Sequence, residues 1–220
     1  GKVIENSESK LFFQNPKELY SKSLLVSSKH NRKLITNIDN NNEDVLNIEN
    51  LKVYFKEKNK ILDREITYIK AVNDISFLIK PSSTHAIGGE SGSGKTTIAK
   101  AIMGLTQVTS GNIKILNKDI LKMTNFEKRN FRKHYQMIFQ DPFSSLNPRM
   151  RVGAIIKEGL CFLKPELSNT DTNKILYDVI ENVGLSKDSL NKYPHQFSGG
   201  QRQRIAIARV LVLEPKLLVC

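Results

Sequence analysis

At 220 residues the chain has room for one full domain, or one domain and part of another. Hydrophobic residues at 39% and charged residues at 25% allow a packed core, and no apolar run approaches the roughly 18 residues a membrane span needs; the richest, Ile205–Leu213, is broken by Arg209. The net charge of +12 raises a nucleic-acid partner, against which stands a plain alternative: lysine is abundant along the whole chain and coats a solvated surface. Cys161 and Cys220 lie far apart in no CxxC pattern, which excludes a disulfide framework or a zinc site and points to a reducing compartment. The N-terminus has no signal-peptide pattern and begins at Gly1 rather than Met, as a processed chain or a piece of a longer one would.

In chain order, Leu11–Leu25 has a few apolar residues but is too short to fold alone, and residues 28–44, polar and rich in Asn, read as a linker. Leu46, Ile48, Leu51, Val53 and Phe55 alternate approximately as a strand, followed by a charged loop to about Glu65; Ile75, Phe77 and Ile79 share one face of a second strand. Thr84–Ile87 reads as a short strand entering a glycine-rich turn. Lys95–Leu105 reads as a helix with Ile98, Ala101, Ile102 and Leu105 on one face. Ser110-Gly111 is expected to turn and Asn112–Leu116 to form a strand, with a tight turn at Asn117. Residues 148–195 read as mainly helical. Within them Asp171–Val183 carries the stripe Ile175, Leu176, Val179, Ile180 and Val183, with Asp171 as cap and Gly184 as terminator. A last helix, roughly Gly200–Leu213, is stopped by Pro215, and Leu217–Cys220 opens a buried strand. Strands alternate with helices, so the fold class is α/β.

Gly89-Glu90-Ser91-Gly92-Ser93-Gly94-Lys95-Thr96 matches GxxxxGK[ST] between a predicted strand and a predicted helix. Glycines let the backbone wrap around phosphate oxygens, and the helix start near Lys95 aims its positive end at the same anion. Lys95 would bridge the β- and γ-phosphates and Thr96 would place its hydroxyl on Mg²⁺, with Thr97 beside it in the cofactor site. The alternative is a chance glycine turn with a solvated lysine, which the strand–helix context disfavours. Gly88, just before the loop, stands where a branched residue would pack better. Ser198-Gly199-Gly200-Gln201 again puts small residues at a helix start, either as a second anion site or as an ordinary cap. One nucleotide hardly needs two such ends from one domain; two domains, each closing on the nucleotide of the other, use both.

Taken together, the loop Gly89–Thr96, then Gln140 in Met137-Ile138-Phe139-Gln140-Asp141-Pro142, then Phe197–Gln201 followed by Arg202-Gln203-Arg204, resemble the ABC ATPase family in order and spacing over residues 45–220. The resemblance implies a P-loop NTPase of the ABC type with a helical subdomain at about 141–200, and ATP and Mg²⁺ as cofactors. It implies that Gln140 contacts Mg²⁺ and, with Lys95, serves catalysis, and that Ser198, Gly199, Gly200 and Gln201 close on a partner domain's ATP. Phe55 stands where the family stacks an aromatic on adenine; Tyr54 and Tyr68 are rivals, and a strand-end aromatic can also be simple core. Gln140–Arg149 (QDPFSSLNPR) and the loop at 56–67 resemble the oligopeptide and dipeptide importer branch. That likeness implies a second ATPase domain in the same chain or a dimer, transmembrane permease subunits, a periplasmic or extracellular peptide-binding protein, no nucleic acid, and a peripheral place on the cytoplasmic face of the membrane. Asn15, Pro16, Tyr20, Leu24 and Leu25 resemble the tail of another ATPase of this branch, so residues 1–27 are expected to end a preceding domain. Glu18-Leu19 replaces the branch's His-Pro there, and Ser82-Ser83 replaces its usual Gly-Glu. In the family an Asp-Glu pair follows the position of Cys220; without it residues 1–220 are expected to bind ATP without hydrolysing it. A DNA-maintenance ATPase, a translation-associated tandem ATPase and a non-functional remnant stand as alternatives. Lys95 and Ser198 are close enough in sequence to speak against the long insertion of the first, and QDPFSSLNPR speaks against the second.

Overall fold

The computed structural model describes residues 17–19, 21–22, 44–57, 67–141 and 145–220. The expected domain tail at 1–27 lies mostly outside these residues; the linker at 28–44, the charged loop at 56–67 and the segment Gln140–Arg149 do so in part. Asn40–Cys220 forms one compact unit and Gly1–Asp39 another.

The larger unit is organised by strand β1 (Leu46–Lys56), which lies between β2 (Tyr68–Ile79) and β3 (Ser110–Ile115). Leu46, Ile48, Leu51 and Val53 of β1 are all within 1% of complete burial, a cluster in which each aliphatic side chain contributes about 1.5–3 kcal/mol. Both pairings are antiparallel, and β4 (Lys118–Asp119) extends the sheet beyond β3. The alternation in β1 skips a position between Ile48 and Leu51. A bulge absorbs that extra residue: the register shifts there against both neighbours, and Asn50 takes φ 49. Gly111 lies against the bulge, where a Cβ would stand 2.5 Å from the Asn50 carbonyl oxygen and 2.7 Å from that of Glu49. Ser110-Gly111 is therefore the start of β3 rather than the expected turn. The tight turn expected at Asn117 is present, with Leu116 and Asn117 at φ 48 and 62 joining Ile115 to its partner Lys118.

Helix α1 (Lys95–Ile102) ends earlier than the pattern predicts. Gly104 N–H donates to Ala101 O and Leu105 N–H to Lys100 O, a paired closure that turns Leu105 outward, 48% exposed, instead of leaving it on the core face. The short helix α2 (Asn125–Phe131) and strand β5 (Tyr135–Met137) were not anticipated; β5 pairs in parallel with β6 (Leu217–Val219). These elements and the four-stranded sheet share one core, which includes Ile98, Ile102, Tyr135 and Leu217.

A second core gathers Val152, Ile156 and Leu160 of α3 (Val152–Leu163), Leu176 and Ile180 of α4 (Asn169–Asn182), and Ile205 and Ala208 of α5 (Gly199–Leu211). Ser168, not Asp171, caps α4. Its Oγ accepts the Asp171 N–H at 3.1 Å, and Asp171 in turn accepts the Ser168 hydroxyl at 2.6 Å. Gly184 ends α4 as expected, with its N–H on Glu181 O.

Thr84–Ile87 is a correction. The segment is exposed and belongs to no strand, with no ladder partner among the described residues. β-propensity alone does not hold a strand without a neighbouring backbone, and a cavity of about 640 Å³ separates this segment from β5 and β6. At Gly88 a Cβ would meet nothing within 4 Å, so no packing is lost to the missing side chain. Ser82 takes φ 55, in the left-handed region that favours glycine.

Gly111→Ala is expected to lower unfolding stability by about 3 kcal/mol, because φ 101 and the contacts with Glu49 and Asn50 both oppose a Cβ. A urea midpoint unchanged from the wild type would contradict this account of the bulge.

Candidate nucleotide-binding site

The loop 89–94 meets α1 at Gly94, whose φ of 92 is left-handed. A Cβ there would stand 2.2 Å from the carbonyl oxygen of Ala71, so only glycine fits. Ala71 is itself the residue left over where the β1–β2 register shifts between Val53 and Tyr54. A bulge in the ribbon thus abuts the loop at the point where the helix begins.

The start of α1 has neither a side-chain cap nor an acid in its first turn. Its first N–H groups, those of Lys95, Thr96 and Thr97, therefore keep their partial positive charge available to an anion. Lys95 folds back over the loop: its Nζ donates to Gly89 O at 2.8 Å, to Glu90 O at 2.6 Å and to Ser93 Oγ at 3.4 Å. Ser93 N–H bonds Glu90 O at 3.2 Å, closing the turn. Gly89, Glu90, Ser91, Gly92 and Ser93 are all exposed, as a cradle for a soluble anion must be.

Gln140 reaches the same place from the other direction. Ile138 N–H bonds Val219 O at 2.8 Å, continuing the parallel β5–β6 pairing, and Gln140 follows at the carboxyl end of β5. Ligands of open parallel sheets bind beyond that end. Lys95, Thr96, Gln140 and Asp141 together line the cavity of about 640 Å³, whose remaining wall is largely apolar. Asp141 and His85 were given no role by sequence reasoning. Asp141 had a signal, being adjacent to Gln140; His85 had none, because its ring stacks across elements on Phe77, with centroids 5.0 Å apart.

The three candidate aromatics separate by their surroundings. Tyr54 is committed, its hydroxyl donating to Asn73 Oδ1 at 2.5 Å with Lys70 over its ring. Phe55, opposite Ile69, and Tyr68, opposite Lys56, are 43% and 55% exposed. Neither lines the cavity, although Ala71, two residues beyond Ile69 on the same strand, touches Gly94.

Ser198–Gln201 sits on the second core and contributes nothing to that cavity. Ser198 caps α5 reciprocally: Ser198 N–H donates to Gln201 Oε1 at 3.0 Å, and Gln201 N–H to Ser198 Oγ at 3.4 Å. Gly199 and Gly200 are exposed, with open space where a Cβ would stand. The two glycine motifs are therefore separate surfaces of one chain, one built around a lysine and one around a capping serine.

Gly94→Ala is expected to displace the loop from β2 and weaken binding of a fluorescent ATP analogue by at least about tenfold, the loss of one charge-assisted hydrogen bond or more. Unchanged affinity would mean that the contact with Ala71 does not set the loop.

A family model described as ABC transporter matches residues 72–220. The oligopeptide transport ATP-binding protein OppF of Haemophilus influenzae is 43% identical over 188 residues, which cover 83% of this chain and 56% of that protein. The peptidoglycan transport ATP-binding protein YejF of Agrobacterium fabrum is 36% identical over 219 residues, 100% of this chain and 40% of that protein. The chain thus spans about half the length of the curated relatives it matches. Among solved structures, the dimeric ATP-binding cassette MJ0796, in a post-hydrolysis state bound to ADP and Pi, superposes with a TM-score of 0.67 at 27% identity, covering 79% of this chain and 72% of that one. With its glycine-rich loop opening on a helix, its α/β core and these likenesses, the chain belongs to the ABC transporter family of ATP-binding domains.

Proposed function

We propose that this chain holds ATP with Mg²⁺ as the nucleotide-binding part of an importer for peptides. The observation that carries the reading is the convergence of Lys95, Thr96 and Gln140 on one cavity at the uncapped start of α1. The loop N–H groups and Lys95 suit the polyphosphate. The Thr96 hydroxyl and the Gln140 amide oxygen are hard oxygen donors, the type Mg²⁺ takes, and the ion would neutralise phosphate charge there. Lys95 already points its ammonium into the loop and has only to exchange carbonyl partners for phosphate oxygens. Gln140, at the end of β5, ties the cavity to the helical region that follows it.

The exposed Ser198–Gln201 start of α5 supports a two-domain arrangement in which this end closes on nucleotide held by another copy or another domain, as the dimeric state of MJ0796 illustrates. The likeness to OppF proteins supports peptide as cargo, and with it permease subunits, an external peptide-binding protein and a peripheral place at the membrane. Among the described residues no helix is long and apolar enough to cross a membrane. The match to YejF along the whole chain supports reading residues 1–27 as the end of a preceding ATPase domain.

Calorimetric titration with ATP tests the site. Lys95→Ala is expected to weaken ATP binding by about tenfold or more, since a hydrogen bond to a charged group contributes about 1.5–3 kcal/mol. Thr96→Ala is expected to leave metal-free binding intact while removing the gain that Mg²⁺ brings. Lys95→Ala binding ATP as the wild type does would overturn the assignment of the loop. For the cargo, cells whose full-length protein carries Lys95→Ala should lose peptide uptake while keeping free amino-acid uptake; retained peptide uptake would refute the importer reading.

A further inference from the structure

The basic surplus of the chain concentrates away from the loop at 89–96. From β4 to the start of β5, residues Lys118, Lys122, Lys128, Arg129, Arg132 and Lys133 are matched only by the acids Asp119 and Glu127. The fold turns this stretch into a concave site of about 500 Å³, within the range of small-molecule pockets. Phe126, Phe131 and His134 line it, together with Lys118 and Lys133.

Its aromatic groups are arranged rather than scattered. The Phe131 and His134 ring centroids are 5.1 Å apart, and Lys118 Nζ lies 5.3 Å from the Phe131 centroid. Phe126 is 74% exposed on the seven-residue α2 and presents its ring to the cleft. Of the two acids, Glu127 also lines the cleft, whereas Asp119 does not. Asp119 Oδ2 pairs with Lys122 at 3.2 Å, and Glu127 Oε2 accepts both the N–H and the hydroxyl of Thr124 at 2.8 Å, a bonding that holds its carboxyl below the usual range. Lys118 and Lys133 face the single carboxylate of Glu127, so the lining keeps a positive surplus. His134 registers it: burial first, then Lys133, Lys118 and Lys216, hold its imidazole below the ordinary histidine value.

We propose that this cleft is a second ligand site, which takes a phosphorylated nucleoside with its base against Phe126 and its phosphate between Lys118 and Lys133. Flat aromatic faces beside lysines recognise that chemistry without reading a sequence. A free mononucleotide and a nucleotide within single-stranded RNA share it.

The test uses the full chain carrying Lys95→Ala, which weakens the loop at 89–96, and follows the His134 ring protons by NMR. AMP, a short oligoadenylate and inorganic phosphate are titrated separately. A saturable shift with AMP or the oligonucleotide is expected, accompanied by a rise in the His134 pKa, because a bound anion offsets Lys118, Lys133 and Lys216 while Glu127 stays bonded to Thr124. Phe126→Ala, which removes an exposed ring and spares the core, is expected to weaken binding about tenfold, the scale of one base–aromatic stack. Lys133→Gln is expected to weaken it and flatten its salt dependence. Tighter AMP binding identifies a free nucleotide as the ligand, and tighter oligoadenylate binding identifies RNA. No saturable shift, binding indifferent to Phe126→Ala and Lys133→Gln, or phosphate binding as tight as AMP would each overturn the proposal.

Discussion

The carbonyl of Ala71 occupies the space a side chain at position 94 would need, and the geometry of the nucleotide loop follows from that approach. Contact between two backbones is less forgiving than contact between side chains, which can change rotamer. The loop therefore inherits its position from β2, β2 from its pairing with β1, and β1 from the burial of Leu46, Ile48, Leu51 and Val53. Gly111 performs the equivalent service on the other side of β1, where it admits the bulge at Asn50. Gly111 thus admits the close approach of β3 to β1, and Gly94 that of the loop to β2, so the loop's position follows from the packing of the sheet.

Much of this could be read in the sequence wherever a local rule and the tertiary contact agree. The jump from Ile48 to Leu51 in an otherwise alternating strand already contains the bulge. The stripe Ile175 to Val183 ending at Gly184 contains α4 to within a residue at its C-terminal end. The loop Gly89–Thr96 announces its own chemistry because glycine spacing, lysine and hydroxyl all serve one anion. What escaped is what depends on partners distant in sequence. β5 has only Tyr135–Met137 in its ladder, too few residues for a periodicity, and exists because Leu217–Val219 lies beside it. Thr84–Ile87 has the composition of a strand but lacks a neighbour at hydrogen-bonding distance. Helix α2 was legible in principle, since Thr124 and Glu127 form a complete capping box, but its lone outward Phe126 breaks the amphipathic pattern that draws attention to a helix.

Side-chain roles were legible to different depths for a related reason. Lys95 and Thr96 sit at fixed offsets from the glycines, so the chain's own geometry carries them to the anion. Gln140 is brought there by a strand pairing between distant segments, and no local spacing predicts its arrival beside Thr96. For Phe55 the decisive fact is competition: Tyr54 is withdrawn by its bond to Asn73, which leaves the strand-end rings of Phe55 and Tyr68 open.

The two glycine-rich helix starts differ in how they are satisfied. At α1 the cap is a glycine, so no side chain competes for the first-turn N–H groups, and Lys95 is already stationed by Gly89 O, Glu90 O and Ser93 Oγ. On the proposed reading an arriving polyphosphate would meet a preorganised positive centre and replace these hydrogen bonds with stronger, charge-assisted ones. At α5 the Gln201 N–H is spent on Ser198 Oγ, though at 3.4 Å that bond is long, and Gln201 itself holds the Ser198 N–H. An anion there must compete with an intact capping box and gains no lysine from the motif in return. On the proposed reading the α1 end would hold an anion by itself, whereas the α5 end would close on one already fixed by another surface. That asymmetry suits the proposed sharing of a nucleotide between two domains.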